Sequence, residues 1–259
     1  MNTILFDKQA GIATITLNRP KAYNSVTREL AFAFQTTLDE CANDETIRVV
    51  VITGAGKAFC AGQDLVEVTT PEQMPGFQTI LQEHFNPIIN KIVQLEKPVL
   101  AAVNGVAAGA GASIALACDI IVAAETASFI QAFSKIGLIP DGGSTYTLPR
   151  IVGFQKALAL AMLGDKVSAA EAEKMGMIYK FFQKEQFDDE VQNLAKRLAQ
   201  MPTKGLSYIK KAFHQSLNNT LAAQLEVETN YQLLASETAD YQEGVQAFLE
   251  KRKAVFIGR

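Results

Sequence analysis

Apolar residues along this chain fall into two alternating kinds of run: short unbroken ones that end in glycine turns, and longer ones that repeat every three to four positions. Residues 4–6 and 12–17 alternate on either side of Gly11 and predict a hairpin. Thr27 is placed to cap a helix reaching Asn43, with Leu30, Phe34, Leu38 and Cys41 along its inner face. Residues 49–53 read as a buried strand closed by Gly54-Ala55-Gly56, and 59–65 as the loop beyond it. Residues 66–76 show no periodicity and read as a mobile lid or loop, and a helix over 77–95 follows. The rest of the chain is organised around the run from Lys97 to Asp119. It predicts a strand at Val99–Val103, the turn Asn104-Gly105, and a helix starting in Gly109-Ala110-Gly111-Ala112.

That run carries no charge from Val99 to Cys118 and contains Gly105-x-x-x-Gly109, so a membrane helix must be weighed. Val-Leu-Ala-Ala-Val is strand-like, and Ile120–Ala124 reads as a second strand, which favours a βαβ unit in water. Residues 129–133 read as a short extended piece and 135–143 as a turn cluster entering a helix. Helices are predicted at Phe154–Leu163, Ala169–Lys174 and Phe187–Ala199, with a strand at 178–182. From Thr203 onward everything is helical, over 206–215, 221–235 and 238–249. Strands alternating with helices, then helices alone, predict an α/β core over residues 1–200 and an α-helical region over 201–259.

Composition narrows the function. With 48% apolar residues the chain can bury one large core without cross-links. A net charge of −3 and no basic run argue against a nucleic-acid partner. Cys41, Cys60 and Cys118 are odd in number and scattered, which points to a reducing compartment, and the N-terminus has no signal-peptide pattern, so the cytoplasm is expected. His84 and His214 read as surface or helix histidines, and no metal-ligating set is expected.

Two glycine turns follow two of the apolar strands, Ala61-Gly62-Gln63-Asp64 and the stretch from Gly105 to Gly111. Ligands of α/β sheets gather beyond the carboxyl ends of the strands. Two neighbouring turns there can each offer one N–H to the same oxygen, forming an oxyanion hole, although glycines also serve simply as turn formers.

Phe59-Cys60-Ala61-Gly62-Gln63-Asp64-Leu65, Asn104-Gly105-x-x-x-Gly109-x-Gly111, Cys118-Asp119-Ile120 and Gly137-Leu138-Ile139-Pro140-x-Gly142-Gly143 together resemble the enoyl-CoA hydratase/isomerase (crotonase) family. The resemblance runs from Asn18-Arg19-Pro20-x-x-x-Asn24 to Ala247-Phe248-Leu249-Glu250-Lys251-Arg252. It implies a spiral of ββα repeats with an α-helical C-terminal trimerisation region, assembled as a trimer or a dimer of trimers. It also implies an acyl-CoA thioester substrate, with coenzyme A as part of the substrate, no further cofactor and no membrane. The N–H groups of Gln63 and Ala110 would hold the enolate oxygen. Lys21, Ala22 and Tyr23 match the loop that runs along the CoA nucleotide, with Ala61, Asp64 and Leu65 around the oxyanion turn. Asp64 would fix that turn. Phe248 and Lys251 match a pair that reaches a neighbouring subunit's CoA.

The departures from the family pattern are informative. Its hydratases use two glutamates, and those positions hold Ser113 and Phe133, which can neither activate water nor protonate carbon. Its aryl-CoA dehalogenases use a histidine and a tryptophan whose positions hold Asn86 and Phe133, and the chain has no tryptophan. One carboxylate remains, Asp141. Bare Pro-Asp-Gly is turn chemistry, and Asp before Gly-Gly-Ser-Thr can cap a helix. The pattern over residues 132–141, however, resembles the family's isomerases of phenylacetate degradation. Those convert a ring-1,2-epoxide of phenylacetyl-CoA to its oxepin and shift enoyl-CoA double bonds. One carboxylate suits that task, since isomerisation removes and returns one proton. Ile136, Leu138 and Ile139 are expected to surround Asp141 and raise its pKa. The alternatives are a 2-enoyl-CoA hydratase of fatty-acid β-oxidation and a non-catalytic acyl-CoA-binding subunit.

Overall fold

The computed structural model describes residues 2–69 and 76–259, so positions 70–75 of the expected loop lie outside the described residues. The hairpin forms, with β1 (Ile4–Gln9) antiparallel to β2 (Ile12–Leu17), turning through Ala10 and Gly11 at positive φ. Thr27 caps α1 (Arg28–Asn43) by accepting the Leu30 N–H, and the four apolar positions read from the sequence are all buried.

Three successive passes then repeat one plan. Each gives a longer strand to a six-stranded sheet, a three-residue strand to a four-stranded sheet, and then a helix. The first pass is β3 (Val49–Gly54), β4 (Ala58–Cys60) and α2 (Leu65–Thr69), followed by α3 (Phe77–Thr79), a π-helical stretch over Ile80–Phe85 and α4 (Asn86–Gln94). The second is β5 (Val99–Val103), β6 (Val106–Ala108) and α5 (Ala110–Leu116). The third is β7 (Ile120–Ala124), β8 (Ser128–Ile130) and α6 (Ser144–Val152). After α7 (Phe154–Leu163), β9 (Lys166–Ser168) joins the small sheet and, past α8 (Ala169–Lys174), β10 (Lys180–Phe182) joins the large one. The orders are β1-β2-β3-β5-β7-β10 and β4-β6-β8-β9, with parallel pairing except at β1/β2 and β8/β9.

Both faces of the large sheet are covered, which is why its strands read as unbroken apolar runs. Val50, Ile52, Ala101 and Val103 face a core shared with α1, α4 and α5. Val49, Val51, Leu100 and Ala102 face a second core closed by Phe187, Val191 and Leu198 of α9 (Phe187–Ala199). The uncharged run from Val99 to Cys118 is broken into β5, β6 and α5, and no helix among the described residues is long and apolar enough to cross a membrane.

Some expectations are corrected. The 59–65 loop begins inside β4, and its end opens α2, so 66–69 are helical rather than loop. The extended piece at 129–133 ends at Ile130 and gives way to a 3-10 turn over Ala132–Ile136. His84, expected as a surface or helix histidine, lies in the π-helical stretch, where it is fully buried and edge-on to Phe32.

Beyond α9 come α10 (Thr203–Ser216), α11 (Leu221–Ser236) and α12 (Ala239–Leu249). Arg48 ties this region to the sheet by donating to Thr203 Oγ1 at 3.0 Å and to the carbonyls of Met201 and Phe256 at 2.6 Å each. Asp240 anchors the last residues by accepting the N–H groups of Ile257 at 2.6 Å and Gly258 at 2.8 Å.

Candidate active site

The two glycine turns meet. Gly62 has φ +88°, and a Cβ there would stand 3.0 Å from the Ala108 carbonyl oxygen and 3.1 Å from the Ala110 nitrogen. Only glycine permits both that conformation and that approach. Gln63 forms a parallel bridge with Val26, in which the Val26 N–H donates to Gly62 O at 2.7 Å and the Asp64 N–H donates to Val26 O at 2.9 Å. In such a bridge the hydrogen bonds belong to the flanking residues, so the N–H of Gln63 itself turns away from Val26. Among the described residues neither the Gln63 nor the Ala110 N–H finds an acceptor. Gly109, at φ 53° and ψ −131°, lets the chain enter α5 at that angle. The structure thus brings two unpaired backbone donors together at the carboxyl ends of β4 and β6, an arrangement suited to an anionic oxygen.

The turn is held from behind. Asp64 accepts from Arg19 at 2.7 Å, from the Ser25 hydroxyl at 2.9 Å and from the N–H groups of Val66 at 3.0 Å and Glu67 at 3.3 Å. Burial pushes its carboxyl up, but Arg19, Ser25 and the Glu67 N–H together outweigh that and hold it below the usual carboxylate range. The Gln63 side chain donates to Glu67 at 3.2 Å. Cys60, beside the turn, is buried and its thiol is pushed up to about 12, so it stays protonated.

Lys21, Ala22 and Tyr23 sit next to this turn. The Ala61 N–H donates to the Tyr23 carbonyl at 3.0 Å, while Asn24 accepts the Arg19 N–H at 2.8 Å and donates to the carbonyls of Ala55 and Ala58. Tyr23 and Asn24 both adopt positive φ, and Lys21, Tyr23 and Leu65 are exposed. Phe248 and Lys251 lie at the far end of the chain, exposed, and share no hydrogen bond with that loop among the described residues.

Asp141 stands in the turn between the 3-10 segment and α6. Its side chain does not cap the helix: the N-cap is Gly143, and no side chain serves it. Oδ1 is buried without a partner, and burial alone pushes the carboxyl up to about 6. The cause of that burial differs from expectation. Ile136, Leu138 and Ile139 point to solvent, at 57%, 36% and 78% exposure. What closes on the turn is Ile89 of α4, 3.8 and 3.7 Å from Cβ positions built on Gly142 and Gly143, and Ser113 of α5. Ser113 follows Ala110 by three residues, so it lies on the same helix face as the oxyanion donor. Phe133 is buried with its ring tip 3.9 Å from a Cβ built on Gly109. The two positions where hydratases of the resembled family carry glutamates therefore hold a buried hydroxyl and a buried ring.

Sequence reasoning missed the partners that hold the site. Arg19 and Asp64 are 45 positions apart and carry no local signal of their pairing. Ser113 was legible only as a lost glutamate, and Ser144 not at all.

Comparison with known proteins places the chain in a family. Over its whole length the chain is 46% identical to the 1,2-epoxyphenylacetyl-CoA isomerase of Escherichia coli K12, with 100% of each covered. It is 42% identical to the "Probable enoyl-CoA hydratase" of Rhodobacter capsulatus, covering 100% of this chain and 99% of that one. A crystal structure of an enoyl-CoA hydratase from Bacillus anthracis matches with a TM-score of 0.92 at 31% identity, covering 99% of this chain and 100% of that one. The enoyl-CoA hydratase/isomerase family model matches residues 7–259, and the chain belongs to that family of enzymes.

Proposed function

We propose that the chain is an acyl-CoA isomerase in which the Gln63 and Ala110 N–H groups hold the thioester enolate oxygen and Asp141 moves the proton. The observation that carries this reading is the state of Asp141: a buried carboxyl, unpaired at Oδ1, raised to about 6, on a turn packed against the helix that supplies Ala110. A carboxylate of that kind is a stronger base than a surface aspartate and is still ionised at neutral pH. It takes the proton from the carbon next to the thioester carbonyl while the developing charge settles on the oxygen between the two donors. It then returns the same proton at another position, and no water is consumed. Ser113 and Phe133 supply no second acid or base, which sets the site against hydration.

The 46% identity to the 1,2-epoxyphenylacetyl-CoA isomerase of E. coli supports a ring-1,2-epoxyphenylacetyl-CoA substrate, opened to the oxepin, with enoyl-CoA double-bond shift as the related reaction. Asp141→Asn keeps the shape of the turn and removes the base. Isomerisation should fall on the order of a hundredfold or more while acyl-CoA binding persists. Near-wild-type isomerisation by that variant would return Asp141 to a turn residue. Rapid hydration of crotonyl-CoA by the wild type would instead favour the hydratase reading.

A further inference from the structure

The Asp141 carboxyl makes no hydrogen bond among the described residues, so polar contacts can orient it only through its own main chain. That main chain is gripped at one atom. The Asp141 carbonyl oxygen accepts the Ser144 N–H at 3.0 Å and the Ser113 hydroxyl at 2.9 Å, which uses both of its lone pairs. The Ser113 oxygen also lies 2.8 Å from Ser144 Oγ. With Ser113 donating to the carbonyl, Ser144 donates to Ser113, and the three groups form a chain whose bonds reinforce one another. Both serines are 1% exposed.

Packing makes the same contact tight. Gly142 has φ +55°, and a Cβ on it would stand 2.8 Å from Ser113 Cβ. The turn therefore packs directly on Ser113, and position 142 leaves no room for a side chain.

We propose that Ser113 is a positioning residue of the isomerase: through the Asp141 carbonyl it sets where the Asp141 carboxylate stands relative to the oxyanion donors. The proposal rests on Asp141 being the base. Ser113 itself touches no reacting atom. Loss of its hydroxyl lets the turn lift from α5, which moves the base off line and admits water to its carboxyl.

The test compares wild type, Ser113→Ala, Ser113→Cys, Asp141→Asn and the Ser113→Ala/Asp141→Asn double variant, each assayed for acyl-CoA isomerisation and for acyl-CoA binding. Ser113→Ala should lower kcat about tenfold or more with KM nearly unchanged, and Ser113→Cys, which keeps the bulk but is a weak donor, should follow it. The acid limb of the pH–rate profile should move below its wild-type position, a readout that simple loss of stability would not shift. No charged side chain among the described residues acts on the Asp141 carboxyl, so a moved limb reports changed burial. In the Asp141→Asn background, Ser113→Ala should cost nothing further, because it acts through the group already removed. Wild-type kcat and an unmoved limb in both Ser113 variants, with Asp141→Asn inactive, would overturn the positioning role alone. An additive loss in the double variant would overturn it too. An active Asp141→Asn would overturn the base assignment, and the positioning role with it.

Discussion

Gly111 lies so close to Cys60 that a Cβ on it would stand 2.1 Å from the Cys60 carbonyl oxygen. This contact presses the first turn of α5 onto the end of β4, and it is what brings the Ala110 N–H beside the Gly62–Gln63 turn. Gly111→Ala must separate the two elements, since the obstacle is backbone and cannot rotate away. Overpacking of this kind costs about 1–3 kcal/mol of stability. A displacement of about 1 Å between the two donors can cost on the order of a hundredfold in rate. The variant should fold with a lowered Tm and lose far more activity than its stability loss explains. A variant with wild-type turnover would show that the oxygen does not need both donors.

Asp141 predicts a specific pH dependence. The base works only when ionised, so kcat/KM should rise with pH through about 6 and level off above it. Stability runs the other way. A carboxyl raised from 3.8 to about 6 holds its proton longer in the folded chain, so stability falls as pH climbs between those values and stays lower above them. Asp141→Asn removes the buried charge and should melt higher than wild type at neutral pH, with the difference fading below about pH 4. Equal melting temperatures at every pH would mean the carboxylate is well solvated.

How much of this could be read from the sequence depends on what each residue's signal was. The bounds of β5, β7, α7, α8 and α9 were legible because period and turn chemistry agree there. Strands β6 and β9 were not, since three residues establish no period. The oxyanion turns were visible through Gly62, where a Cβ would crowd the Ala108 carbonyl, and Gly109, whose φ of 53° with ψ of −131° lies outside the left-handed helical region. The burial of Asp141 was expected for the wrong reason. Gly142 and Gly143, both at positive φ, turn the chain so that Ile136 and Ile139 face out while the aspartate turn meets Ser113 and Ile89. Nothing local in the residues fixes which side such a turn presents. The support of Asp64 by Arg19 is likewise a product of the fold.

Lys251 offers a test of the CoA site. It is exposed at positive φ, just past Phe248, and among the described residues it has no carboxylate partner. Its neighbour Arg252 instead binds Glu243 and Glu250, both at 2.6 Å. If Lys251 meets a CoA phosphate, Lys251→Ala should weaken CoA binding several-fold at low salt, by an amount that shrinks as salt is added. Lys21→Ala should behave in the same way. A dissociation constant that matches wild type at every salt concentration would remove Lys251 from the site.

The last helices predict assembly. None of the sixteen residues of α11 is fully buried in the single chain. Phe213, Leu221 and Leu225 are 73%, 77% and 53% exposed, and Phe248 on α12 is 82% exposed. Each such side chain gains about 1.5–3 kcal/mol when covered, and a soluble monomer rarely leaves so many together on one region. The helices pack on each other and are tied to the core by Arg48, so they form a rigid surface rather than a fraying tail. Closed symmetric assembly covers such a surface without leaving an open end, and the family resemblance implies that this assembly is a trimer or a dimer of trimers. Sedimentation should therefore give a trimer or a hexamer that persists on dilution. Phe213→Glu or Leu221→Glu should shift the protein toward smaller species and, if Phe248 and Lys251 reach a neighbour's CoA, weaken CoA binding in the same variants. A monomer at all concentrations would defeat this prediction and leave Phe248 and Lys251 without a CoA to reach.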